Sequence, residues 1–215
     1  MSVRSQEGCS TGPEQGLRLH HEGYTVLHGS SVRMGTRGVA VLGPAGKGKS
    51  TLAAVLRRRN HLHLSDGMCI LEDTTGQPHL IPGPPSAKLW PDTLQALGAD
   101  PRRFEPAFPN HEKRLVPITS PASPSTPASI VFVLDVDPEA EVTTVHRLPP
   151  VDSIWELVQN YYLADYFGRS QATAIFSRCA RLAKFVQVFR LVRPNNLHAL
   201  DEVADAVERT VASCP

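Results

Sequence analysis

The amino-acid sequence predicts an α/β fold built around a phosphate-binding loop (P-loop), with a central mixed sheet flanked by helices. Three observations carry this expectation. The run Val39 to Leu42 is apolar without alternation, as in a strand buried on both faces of a sheet. It leads directly into a glycine-rich loop and then into the helix-like run KSTLAAVLRRR. Farther along, MCILED and the turn-rich TTGQPHLIPGPPS read as a hairpin, whereas ASIVFVLDV reads as a second buried strand.

Residues 1–16 are polar and contain no apolar core of signal-peptide length, so they are expected to form a disordered tail ahead of a single catalytic domain, residues 17–215. LRLHHEGYTVLHGSSVRM alternates apolar and polar residues, the period of half-exposed strands. The helix after the glycine-rich loop places Leu52, Ala53 and Leu56 on one stripe. It ends in Arg57, Arg58 and Arg59, where cations suit the negative pole of the helix and face solvent, with Asn60 closing it. HLHLSD is the next strand, and WPDTLQALG is a short helix starting near Pro91 and stopping at Gly98.

Residues 117–128 are rich in proline and serine and read as a mobile surface loop within the domain. In VDSIWELVQNYYLADYF, the residues Ile154, Trp155, Val158 and Tyr162 share one helical face. Ile175, Cys179 and Leu182 continue the pattern, giving two core-facing helices. VQVFRL is a strand. The last helix carries Leu200, Val203, Ala204, Val207 and Val211 on its buried stripe, with an asparagine available as N-cap.

Among 215 residues, 22 Lys and Arg face 21 Asp and Glu, so no overall charge points to a nucleic-acid or membrane-surface partner. Cys9, Cys69, Cys179 and Cys214 form no CxxC pair, which argues against a disulfide framework or a zinc knuckle and fits a reducing cytoplasm. No segment approaches the roughly 20 apolar residues that span a bilayer. His20-His21 and His61-x-His63 lack a third ligand at metal-binding spacing.

Gly43-Pro44-Ala45-Gly46-Lys47-Gly48-Lys49-Ser50 matches GxxxxGK[ST] in full, between strand and helix. The glycines let backbone N–H groups approach phosphate oxygens, and the helix N-terminus adds positive potential. Lys49 is placed for the β- and γ-phosphates, Ser50 for Mg2+ and Thr51 for the α-phosphate side, whereas Lys47 reads as solvated. The motif implies a nucleotide without separating hydrolysis, switching and transfer. The chain contains no Asn-Lys pair for a guanine-reading NKxD and no LSGGQ-like segment; Asp73 to Gly76 match DxxG only within a hairpin turn. ATP is the expected nucleotide, with GTP left open.

Two carboxylates compete for the place beside the γ-phosphate. Asp66 ends the strand that follows the P-loop helix and could accept a proton from a substrate hydroxyl or orient the metal; Asp135 ends IVFVLD, a Walker B-like pattern. Either could instead be a strand-end turn former. The position of Asp66 on the next strand favours it.

The order LHG, GVAVLGPAGKGKST and HLHLSDG resembles the catalytic domain of HPr kinase/phosphorylase, a histidine preceding the P-loop and an aspartate following it. The resemblance implies that Asp66 activates a substrate serine and that His28 supports the site; without it, His28 reads as an ordinary strand-end histidine. The chain departs from that family at Gly67, where the relatives carry a second aspartate, and it lacks their Glu-Ile-Arg-Gly segment, so HPr is not the expected acceptor. AKLWPDTLQALG, HEKRLVPI, VFVLD and VFRLVRPNNLHALDEVADAV are more similar to the short HPr-kinase-like proteins of lasso-peptide biosynthesis. That likeness implies ATP- and Mg2+-dependent phosphorylation of a precursor peptide's C-terminal serine. HPr kinases assemble as hexamers, and the sequence leaves oligomer formation open.

Lys88, Lys113 and Arg114 read equally as a solvated charged loop or as cations over the transferred phosphoryl group. Two alternatives to the peptide kinase stay open: a small-molecule kinase, and a nucleotide-gated binding protein with slow ATPase activity.

Overall fold

The computed structural model describes residues 12–73, 76–118, 125–167 and 169–215. Along the chain run α1 (Gly12–His21), β1 (Thr25–Leu27), β2 (Gly29–Met34), β3 (Arg37–Leu42), α2 (Lys49–Arg58), β4 (Leu62–Ser65), β5 (Cys69–Glu72) and β6 (His79–Ile81). There follow β7 (Ser86–Leu89), α3 (Pro91–Ala96), β8 (Arg114–Pro117), β9 (Thr126–Asp137) and β10 (Thr144–Arg147). The chain ends with α4 (Pro150–Gln159), α5 (Arg169–Leu182), β11 (Gln187–Pro194) and α6 (Leu200–Ser213).

Among the described residues, nine strands form one mixed sheet. β3, β9 and β11 run parallel at its centre, β2 and β4 extend it antiparallel beyond β3, and β10 borders β11. β6, β5 and β1 branch from the beginning of β9, while β7 and β8 form a separate two-stranded arm. The α/β class with a central mixed sheet flanked by helices is therefore the architecture of the chain.

Period-2 geometry explains why the central strands carry no polar alternation. Val39, Val41, Ile130, Phe132 and Leu134 join a cluster with Leu52 and Leu56 of α2 and Val203 and Val207 of α6. The intervening Ala40, Leu42, Val131 and Val133 join a second cluster with Leu157 of α4 and Ile175, Cys179 and Leu182 of α5. Helices thus cover both faces. The α6 stripe lies in the core as its spacing implies, and Asn196 accepts a hydrogen bond from His198 N to cap the 3-10 turn Leu197–Ala199 ahead of α6.

Several expectations are corrected. The alternation in LRLHH belongs to α1, whose Leu19 is buried against Val26 and Ile70; helix begins at Gly12, so residues 12–16 are not part of a tail, and residues 1–11 lie outside the described residues. Residues 119–124 of the expected loop also lie outside them. Pro117 closes β8, Ile118 is buried and β9 already begins at Thr126, so residues 117 and 126–128 belong to strands rather than to a loop. In α4 the inward face is Ser153 and Leu157, leaving Trp155 60% exposed, and the helix stops before Tyr162. Arg58 and Arg59 are not a free solvent face: Arg59 bonds Asp201, Asp205 and Glu208 of α6, and Arg58 bonds Asp201.

Candidate active site

Sheet topology brings the predicted residues to one edge. β3, β9 and β11 are parallel, so their C-terminal ends lie together, which is where open α/β sheets hold ligands. β2 runs antiparallel to β3, with Gly29 opposite Leu42, so His28 arrives beside the start of the P-loop. β4 runs antiparallel to β2, with Ser65 opposite Ser31, so Asp66 emerges at the same edge.

These residues line one cleft of about 560 Å3, together with Ser50, Thr51, Lys88, Trp90, Lys113 and Arg193. The P-loop leaves β3 through Gly43 and turns into α2 at Gly48, a left-handed residue at φ +98°. Lys49 is buried, and its Nζ donates to Gly43 O at 2.7 Å and to Pro44 O at 2.8 Å. Burial pulls the Lys49 ammonium down to about 8, with Asp66 opposing and Lys113 adding to the shift. The Thr51 hydroxyl lies 3.1 Å from the Thr93 hydroxyl, joining the first turn of α2 to α3.

Asp66 is held at both oxygens. Ser30 Oγ donates to Oδ1 at 2.7 Å and the backbone N–H of Lys88 donates to Oδ2 at 2.9 Å. Each oxygen keeps a further lone pair for a proton or a cation. His28 is half-buried; burial, followed by the Lys49 ammonium, pushes its imidazole down to about 4 against the opposing pull of Asp66. Its ring is therefore neutral near pH 7, and it stacks on Tyr162 with centroids 6.0 Å apart. Asn160 ties this corner together: its Oδ1 accepts from Gly43 N at 2.9 Å and its carbonyl accepts from His28 N at 2.7 Å.

Asp135 has a different partner. Lys47 Nζ sits 2.9 Å from its Oδ1, and that bond, with the Val136 N–H, draws the Asp135 carboxyl below its ordinary range. Asp135 is not among the residues lining the cleft. Lys47, expected to be solvated, is thus an ion-pair partner.

Residues that sequence reasoning passed over complete the site. Ser30 is signalled only by the hydroxyl pair Ser30-Ser31 in the strand GSSVRM. Arg193, at the end of β11, is 7% exposed and donates to Lys47 O at 3.1 Å and to Pro194 O at 2.8 Å. It forms no ion pair among the described residues, although burial lowers its pKa. A buried cation without a counter-ion is costly, and an anionic ligand in the cleft would relieve that cost. Loop amides, Lys49 and Arg193 together suit a polyphosphate.

A second cleft of about 610 Å3 adjoins the first at His28 and Tyr162, with Pro44, Trp155, Leu163 and Tyr166 on its walls. Among the described residues no helix is long and apolar enough to cross a membrane, and no group of three or more His, Cys, Asp or Glu is arranged to hold a metal ion.

No family model matches the chain, and no curated protein matches it. Among solved structures, it is similar to the Hpr(Ser) kinase/phosphatase from Coxiella burnetii, with a TM-score of 0.36 and 12% identity, covering 87% of this chain and 92% of that chain.

Proposed function

We propose that this protein is an HPr-kinase-like phosphotransferase that uses ATP with Mg2+ to phosphorylate a serine hydroxyl, the C-terminal serine of a lasso-peptide precursor. The observation that supports the reading most is the Asp66 carboxylate, fixed by Ser30 and the Lys88 N–H on the cleft that Lys49 and Ser50 also line. The loop and Lys49 hold the phosphates. Serine Oγ bonds to the γ-phosphorus while the bond to the β,γ-bridging oxygen breaks, its electron pair leaving with ADP. Asp66 takes the hydroxyl proton, and neutral His28 supports the acceptor side.

The Ser50 hydroxyl and the Asp66 carboxylate, both on the cleft, are hard oxygen donors that would hold Mg2+. When bound, the metal neutralises charge on the phosphates. The adjoining cleft favours a peptide over a metabolite, because it offers the acceptor a second surface of similar size to the first.

The test is incubation with ATP, Mg2+ and a precursor-like peptide ending in serine, read by mass spectrometry. A gain of about 80 Da on the peptide is expected. Slow release of inorganic phosphate with no labelled acceptor would overturn the reading in favour of a nucleotide-gated binding protein.

A further inference from the structure

Lys88 of β7 and Lys113, just ahead of β8, enter the cleft from the two-stranded arm rather than from the phosphate loop. Each ammonium is held by an aromatic face across the arm. Lys88 Nζ lies 4.9 Å from the centroid of Phe108, and Lys113 Nζ lies 5.3 Å from that of Trp90. Such contacts restrict an ammonium without neutralising it. Neither lysine forms an ion pair among the described residues. Lys49 and Arg193 contact the phosphate loop directly, so the arm lysines are a second group of cations in the same cleft.

Their place relative to Asp66 gives the second group a use. The backbone N–H of Lys88 bonds Asp66 Oδ2, which fixes the root of that side chain beside the proton acceptor. The next residue, Gly67, has φ +81°, and a Cβ added there would meet nothing within 4 Å. Space therefore opens beside Asp66, and the second carboxylate on the cleft wall, Asp92, accepts a hydrogen bond from the Thr93 N–H. In a C-terminal serine only Cβ and Cα separate the hydroxyl oxygen from the carboxylate carbon. A serine with its hydroxyl on Asp66 thus keeps its carboxylate inside the cleft that these ammonium groups also line.

We propose that Lys88 and Lys113 form an acceptor-carboxylate site, which selects a serine whose own carboxylate is free. This rests on the serine-kinase reading above. The shared chemistry is a carboxylate next to the accepting hydroxyl, supplied by the end of a peptide or by a small hydroxy acid.

The experiment compares three acceptors with the full chain, ATP and Mg2+: a serine-terminated peptide with a free carboxylate, the same peptide amidated, and N-acetylserine. The free acid should exceed the amide in kcat/KM by about 10- to 100-fold, the value of a hydrogen bond to a charged group. Lys88→Met and Lys113→Met, which keep an apolar stem against the ring, should bring that ratio toward one while nucleotide Kd moves less than about threefold. N-acetylserine turned over as well as the free-acid peptide would support the site and assign it to small hydroxy acids. Equal use of acid and amide by the unaltered protein would overturn the carboxylate site and leave the kinase standing. A large loss of nucleotide affinity in either variant would overturn it by assigning the lysines to the phosphates, and transfer to none of the acceptors would overturn both readings.

Discussion

Arg193 passes so close to Gly48 that a Cβ added to the glycine would lie 2.8 Å from Nη2, the same nitrogen that donates to Lys47 O. Gly48 also sits at φ +98°, where an L side chain is strained. Gly48→Ala is expected to introduce about 1–2 kcal/mol of left-handed strain and to displace Arg193 from the loop. With that charged contact displaced, affinity for an ATP analogue should fall by about 10- to 100-fold, measured by calorimetry. Unchanged affinity would show that the guanidinium and the loop do not act together.

Asp66→Asn keeps the shape of the side chain and removes its capacity to take a proton. Phosphoryl transfer should drop by about 10²- to 10⁴-fold with nucleotide affinity largely retained. Comparing turnover with Kd for the same preparation separates this from a folding defect, since one of the Ser30 and Lys88 N–H donors then faces an amide NH2. A variant with full turnover would remove Asp66 from the chemistry.

Nucleotide affinity should weaken in alkaline solution. Burial lowers Lys49 to about 8, so above that pH the unliganded protein loses the ammonium that phosphates require, and binding must take up a proton. Affinity then falls by up to about tenfold per pH unit, while below pH 8 this group contributes no slope. Titrations in buffers of different ionisation enthalpy would count the proton. Lys49→Arg, always charged, should abolish the break.

Acid should destabilise the fold through two histidines. Burial pushes His28 and the fully enclosed His63 from 6.5 to about 4. The unfolded chain therefore binds protons below 6.5 that the folded chain refuses. Their contribution is fully present above 6.5 and is lost as pH falls through the window toward 4. Urea unfolding of His28→Gln should show a shallower loss across that window, with His63 accounting for the remaining slope. An identical slope in variant and parent would refute the assignment to His28.

Local pattern carried much of the architecture. Val39–Leu42 and Ile130–Leu134 read as buried because every residue meets a helix-covered face, and the stripes of α2 and α6 repeat at 3.6 residues whatever their partners. Pattern failed where two periods fit the same letters. LRLHH alternates well enough for a strand, yet Gly16 and Leu19 pack it as a helix, and a Cβ on Gly16 would strike the Tyr162 ring. In α4 the stripe through Trp155 is equally apolar, but Leu157 packs inward and Asn160, just past the helix, bonds the Gly43 N–H.

The sequence by itself determined the phosphate-binding loop, its strand and helix, and the two carboxylates worth weighing, since these follow from residues adjacent in the chain. Only the tertiary structure showed where each carboxylate lies. Strand register delivers Asp66 to the cleft beside Lys49, while the parallel pairing of β3 and β9 puts Asp135 in reach of Lys47. It also placed Arg193 against Gly48 and the Lys88 N–H on Asp66. Those relationships join residues far apart in sequence, and only sheet pairing brings them together.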